Sequence, residues 1–162
     1  LLFHNLNGAK FTEVAPATGS GLSVVVPARG AAFGDLFNDG HIDVVLNAMD
    51  SAPVLLRNVV KNSNHWLTLK LIGGPKGPRD AIGAKVFVTT GAIRQRADVF
   101  SGGSYASSSD QRVHFGLGAA TKVDKVEILW PDGAKEQIHV PSIDRIVTVE
   151  EAKGIKTEAA LD

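Results

Sequence analysis

"KVEILWPDGAKEQIHV", residues Lys125 to Val140, decides the fold class. Val126 and Ile128 alternate with Lys125 and Glu127, the period of a strand that buries one face and wets the other. Pro131, Asp132 and Gly133 then interrupt the run: proline presets φ, glycine accepts a positive φ, and a second polar-apolar run follows. The stretch therefore predicts a β-hairpin, and its chemistry recurs along the chain.

Short runs rich in valine, isoleucine, threonine and phenylalanine, separated by glycine, proline, asparagine and aspartate, predict strands throughout. They fall near Leu22 to Val26, Ile42 to Leu46, Val54 to Arg57, Trp66 to Ile72, Lys85 to Thr89 and Arg94 to Phe100. Others fall near Arg112 to Gly116, Lys125 to Trp130, Gln137 to Val140 and Arg145 to Glu150. Helix signals are scarce, and the tail over 152–162 reads as a short helical stretch or a mobile end. The expected core is Trp66, Leu67, Leu69, Ile82, Val86, Val88, Val99, Phe115, Leu117, Val126, Ile128 and Ile146.

Composition narrows the partners. The 162 residues are 44% hydrophobic, enough for one good core or two small ones. Lysine plus arginine equals aspartate plus glutamate at 17 each, so no net field draws the chain to nucleic acid or an anionic membrane. No apolar run approaches the roughly 20 residues needed to cross a bilayer, which predicts no membrane insertion. Cysteine is absent, which excludes disulfides, thiolate zinc sites and a cysteine nucleophile. Leu1 replaces an initiator methionine and no basic-then-apolar leader follows, so the expectation is a fragment of something longer.

Two regions are expected. "LLFHN" at Leu1 to Asn5 resembles "VLLRN" at Val54 to Asn58, a period of about fifty residues that suits a propeller blade. Residues 1–60 thus read as the last part of a repeat array, and the polar break at Lys61 to Asn64 as the boundary to a new strand set over 64–151.

Residues 64–151 resemble the ASPIC/UnbV domain of the cartilage acidic protein family and of many bacterial exported proteins. The resemblance rests on "NHWLTLKLIG" (Asn64 to Gly73), "RDAIGAKVFV" (Arg79 to Val88), "RQRADVFSGGSYASSSDQRVHFGLG" (Arg94 to Gly118), "VDKVEILWPDGAKEQI" (Val123 to Ile138) and "IDRIVTVEE" (Ile143 to Glu151), in the family's order. Upstream, Arg29 to Asn58 is similar to an FG-GAP or VCBS-type propeller repeat. The resemblance implies a β-propeller with calcium in some loops, a β-rich C-terminal module, an extracellular or periplasmic setting and no assigned catalysis. The expected fold is all-β: a C-terminal β-sandwich or barrel-like domain behind a partial propeller-type repeat.

Candidate metal ligands lie in "AAFGDLFNDGHIDVVLNA", Ala31 to Ala48. Asp35, Asp39 and Asp43 fit positions one, five and nine of the repeat's D-x-D-x-D-G-x-x-D pattern, and the His41 carbonyl fits position seven. Phe37 breaks position three, and Leu46 stands where an EF-hand would carry its closing glutamate. Either calcium binds weakly, in the millimolar range of extracellular modules, or the aspartates cap backbone N–H groups of an Asn-Asp-Gly turn without metal.

A second candidate is "SGGSYASSSDQR", Ser101 to Arg112, where Ser104, Tyr105, Ser107, Asp110, Gln111 and Arg112 offer hydrogen bonds beside an aromatic, one way to bind a sugar. The plainer reading is an irregular crossing with Tyr105 packed inside. The five histidines, His4, His41, His65, His114 and His139, form no i, i+4 pair. "GGSYAS" is not a G-x-S-x-G nucleophile elbow, and no carboxylate pair is singled out for glycoside hydrolysis. Lys76, Arg79 and Asp80 sit in a turn-rich loop.

The functional expectation is a non-enzymatic recognition or adhesion-type module for a protein or glycan, with any calcium structural. The alternatives are an accessory module of a carbohydrate-active or hydrolytic protein, and a structural cap on a propeller.

Overall fold

The computed structural model describes residues 2–6, 8–14 and 21–160, with side chains described as far as residue 158. The described chain is all-β apart from one 3-10 turn at Gly21–Ser23, and none of its sheets closes on itself. No helix among the described residues is long and apolar enough to cross a membrane.

In the N-terminal region, β1 (Phe3–Leu6) and β2 (Lys10–Glu13) form an antiparallel hairpin. β3 (Ala28–Gly34), β4 (Asp43–Ala48) and β5 (Val54–Leu56) form a three-stranded antiparallel sheet. The strand expected over Leu22 to Val26 is not formed, which corrects the sequence reading. Its five residues run from the 3-10 turn into chain that joins no sheet, and Val25 is 96% exposed. Pro27 has no N–H to give to a ladder, and pairing begins one residue later. β3 escaped the pattern because alanine and glycine are weak strand formers. Those small residues serve a close approach, since a Cβ at Gly30 would run into the backbone of Tyr105 and one at Gly34 would press on Asp110.

Ten further strands follow. β6 (His65–Ile72), β11 (Val113–Gly118), β14 (Arg145–Glu150) and β15 (Gly154–Ala160) make one four-stranded sheet, ordered β11-β6-β14-β15. β7 (Lys85–Thr90), β8 (Ile93–Asp98), β12 (Lys125–Leu129) and β13 (Lys135–Ile138) make a second, ordered β13-β12-β7-β8. Between them, β9 (Gly103–Ser104) and β10 (Ser107–Ser108) form a two-residue hairpin. All pairings are antiparallel except β6 with β14, which register Ile146 on Thr68 and Val149 on Leu71. The expected hairpin around Pro131 to Gly133 is present, with Val126 opposite Ile138.

Both four-stranded sheets feed one buried cluster. Leu67, Leu69 and Leu71 of β6 meet Val147 and Val149 of β14 and Phe115 and Leu117 of β11, while Val86, Val88, Val126 and Ile128 enter from the other sheet. The expected core residues recur there with two exceptions. Ile146 is only half-buried, because β14 turns Val147 and Val149 inward and sends Ile146 the opposite way. Trp66 is buried but lies on the outer face of β6, away from the cluster.

The tail is also corrected: it is neither a helix nor a loose end. Ala152 (φ 63°) and Gly154 (φ 75°) reverse the chain, and residues 154–160 pair along the edge of β14. Ile155 packs on the core and Arg145 meets Glu158 at 3.0 Å. That strand satisfies donors and acceptors that a bare β14 edge would expose. Positions 161–162 lie outside the described residues.

Candidate functional site

The site is built on the outer face of β6. Because successive side chains alternate, Leu67, Leu69 and Leu71 point into the core and Trp66, Thr68 and Lys70 point out. That outer face is covered nonetheless, and Trp66 through Leu69 are four consecutive buried residues. What covers it comes from the N-terminal unit and from the serine-rich segment.

The serine-rich segment runs along the free edge of β3. The Ala31 N–H donates to the Ser104 hydroxyl (3.1 Å), the Phe33 N–H to the Ser109 hydroxyl (3.2 Å), and the Asp110 N–H to the Phe33 carbonyl (2.8 Å). The edge of one unit is thus capped by side chains of the other, which satisfies donors that would otherwise need water or a partner strand. Ser109 and Asp110 emerge from this strap on the walls of three cavities. The largest, about 580 Å³, is a groove bounded by Asn38, Lys70, Asp80, Gln111, Arg112 and Ile146. A smaller one of about 250 Å³ has Phe33, Phe100, Thr68 and His114 on its walls.

Of the residues expected to bind a ligand, Asp110, Gln111 and Arg112 reach the large groove. Asp110 and Arg112 hold each other at 2.6 Å, leaving Gln111 as the amide free to meet a ligand. Ser104 and Ser107 do not line it: the first caps β3 and the second donates to the Tyr105 carbonyl at 2.9 Å. Tyr105 is 70% exposed beside the β9–β10 hairpin, so the expectation that it packs inside is corrected. Backbone proximity to Gly30 drives this outcome, since the chain of Tyr105 lies against β3 and its ring faces outward. Lys70 and Asp80 join the groove from β6 and the turn-rich loop, and among the described residues neither has an ion-pair partner within salt-bridge distance.

His114 was not distinguished from the other histidines by sequence. Its Nδ1 lies 2.9 Å from the Thr68 hydroxyl and its ring stacks on Trp66, centroids 5.8 Å apart. Burial pushes its pKa down, and the nearby Asp35 and Asp110 charges only partly oppose that. The imidazole is therefore held neutral at ordinary pH. Thr68 is 1% exposed, so its hydroxyl braces the histidine and is out of a ligand's reach. The signal was a cross-strand one, Thr68 opposite His114, which is invisible until β6 and β11 are paired.

The three aspartates expected as metal ligands are bonded to groups of the turn and its neighbours, and His41, expected to ligate through its carbonyl, gives its N–H to Asp39 at 3.1 Å. Asp35 is 2% exposed, and its two carboxylate oxygens accept the Asp39 and Gly40 N–H groups at 2.9 Å each. Asp43 is 1% exposed and accepts Leu36 N–H at 3.2 Å and Asn58 N–H at 2.8 Å. Asp39 points outward, where burial raises its pKa but bonds from the His41 N–H, the Arg57 guanidinium and the His41 ring outweigh that and lower it. Calcium needs six to eight oxygens converging on one point. Among the described residues no three His, Asp or Glu side chains come together as a group that could hold a metal ion.

No curated protein matches the chain. The profile of the family described as "ASPIC and UnbV" matches residues 74–156, covering β7 to β14, the serine-rich strap and the start of β15. With just over half its length matched, the chain belongs to the ASPIC and UnbV family.

Proposed function

We propose that this chain is a non-enzymatic extracellular or periplasmic recognition module, in which a C-terminal β-sandwich and a propeller-type repeat share one polar groove for a protein or glycan. One observation carries the reading: Lys70, Asp80 and Gln111 line a groove of about 580 Å³ and have no side-chain partner among the described residues, while Asn38, Asp110 and Arg112 beside them are fixed by hydrogen bonds. Rigid walls with a few free polar groups are what orientation-specific binding requires. The hydrolytic alternative is less well supported, since Asp110 is neutralised by Arg112 and no serine hydroxyl of the strap is paired with a base.

The test is binding to an immobilised glycan panel by the wild type and by the Lys70→Ala/Asp80→Ala/Gln111→Ala triple variant. The expected result is that the triple variant loses about tenfold or more in affinity, equivalent to about 1.4 kcal/mol, while its thermal midpoint is unchanged. Equal binding by both proteins would sink the reading.

A second reading, a structural cap on a propeller, is favoured by the distribution of exposed apolar side chains. Every large exposed hydrophobic among the described residues lies in residues 1–60 except Ile93, Phe100 and Tyr105. Val59 is 72% exposed and Phe11 69%. Apolar surface of that extent calls for a covering element. Concentration-dependent self-association that disappears on Val59→Ser/Val60→Ser would support the cap.

A further inference from the structure

We infer that the acidic turn of residues 35–43 is a metal-free latch between the two units, closed by arginines and a tryptophan where a calcium loop would use its ion. The turn has a calcium loop's outline, with Asn38 at φ 55° and Gly40 at φ 80° bending the chain back on itself. Its positive charge arrives on side chains. Arg57 lies 3.4 Å from Asp39 and stacks 4.0 Å over the Phe37 ring, so the residue that breaks the ligand pattern is the one that seats the guanidinium.

Arg112 acts from the other unit. It donates to the Asp35 carbonyl at 2.7 Å and to the Asn38 side-chain oxygen at 2.6 Å, and it is fixed from behind by Asp110. A backbone carbonyl and an amide oxygen are ligand types a hard cation selects; here a guanidinium fork takes both. The tip of the turn is seated as well. Gly40 lies so near the Trp66 indole that a Cβ at that position would collide with it.

The Arg112 contacts join segments more than seventy positions apart in sequence, and none of the contacts of the latch needs an ion. The latch therefore fixes the N-terminal sheet on β6 whether or not calcium is present. It also forms one end of the groove, because Asn38 and Arg112 line it.

The experiment uses the full chain and two readouts. In calcium titration calorimetry, the wild type gives no saturable heat up to millimolar ion, whereas Phe37→Asp/Arg57→Gln restores the carboxylate at position three, removes the competing cation and gains binding. In amide hydrogen exchange, Arg112→Gln speeds residues 35–43 by about tenfold or more while β7 and β12 keep their protection. Saturable calcium binding by the wild type overturns the inference. So does unchanged exchange in the turn of the Arg112→Gln protein. If that variant loses protection throughout, Asn38→Ala replaces it, with the same local acceleration expected and unchanged exchange again overturning the latch. The calcium arm does not depend on any ligand of the groove, so failure of the recognition reading leaves it intact.

Discussion

Asp39-Gly40 and Asp132-Gly133 are two copies of one local device. In each, an aspartate side chain accepts the N–H two residues on, from His41 at 3.1 Å and from Ala134 at 2.9 Å. In each, the glycine takes a positive φ, 80° and 93°. A Cβ added at Gly133 would meet nothing within 4 Å, and its turn simply ends a hairpin in solvent. Gly40 is pressed on Trp66, and its turn is gripped from three sides by Arg57, Arg112 and the indole. Identical turn chemistry therefore says where the chain reverses and nothing about what the reversal touches. The difference is made by residues distant in sequence.

The largest expected effect comes from removing what only the first turn touches. Trp66→Ala leaves a void between Gly40 and His114, and truncating a buried tryptophan costs about 3–5 kcal/mol. Chemical denaturation should show that loss, with faster exchange in residues 35–43 as its local sign. Asp132→Ala removes one side-chain cap and should cost about 1 kcal/mol or less. If the two variants unfold at similar denaturant concentration, the docked turn contributes no more than the free one and the comparison fails.

The glycines sharpen the same contrast. At Gly133 an added methyl faces only the backbone cost of a positive φ, about 1–2 kcal/mol. At Gly40 the same conformational cost is joined by a clash with the indole, and overpacking of this sort adds about 1–3 kcal/mol. Gly40→Ala should therefore destabilise clearly more than Gly133→Ala, and Gly40→Ala in a Trp66→Ala background should recover most of the excess. Additivity of the two substitutions would mean that Gly40 and Trp66 are not in contact in solution.

The free turn was legible in the sequence because everything it needs is within ten residues: alternation on both sides and Pro-Asp-Gly between. The same locality made the strands of the C-terminal unit readable, from Trp66–Ile72 through Arg145–Glu150, and most of their inward residues. Ile146 was read inward in place of Val147 and Val149 because four apolar or β-branched residues in a row, Ile146 to Val149, blur a period of two. β3 was missed because its glycines answer to what passes over them and not to strand propensity. The tail strand was missed because its signal is the open edge of β14. For the site, Asp110, Gln111 and Arg112 were readable as a polar cluster, but Lys70, Thr68 and His114 become neighbours only through the β6–β11 pairing and the fold-back of the strap. The aspartates of the turn were readable as a motif; that Phe37 seats an arginine was not, since Arg57 lies a strand away.

The smallest effect, and the most selective, is in the pH dependence of the docked turn. His114 stacks on the same indole that seats Gly40, and burial lowers its pKa below the ordinary value of 6.5 against the opposing fields of Asp35 and Asp110. Arg112 and His41 push in the same direction as burial. With the folded pKa below the unfolded one, the unfolded chain binds the extra proton first, so stability is full above the unfolded pKa and falls as pH drops through 6.5 toward the folded value. His114→Gln keeps a group able to bond the Thr68 hydroxyl but cannot take up that proton. Its thermal midpoint should therefore fall less steeply than that of the wild type on going from pH 7.5 to roughly pH 5, with the two curves closest to parallel above pH 7. Gly133→Ala, which alters the free turn without touching a titratable group, should leave the acid slope where it was. Parallel curves for wild type and His114→Gln across the whole range would mean that the histidine is solvated in solution, and with it that the turn does not keep water from the outer face of β6.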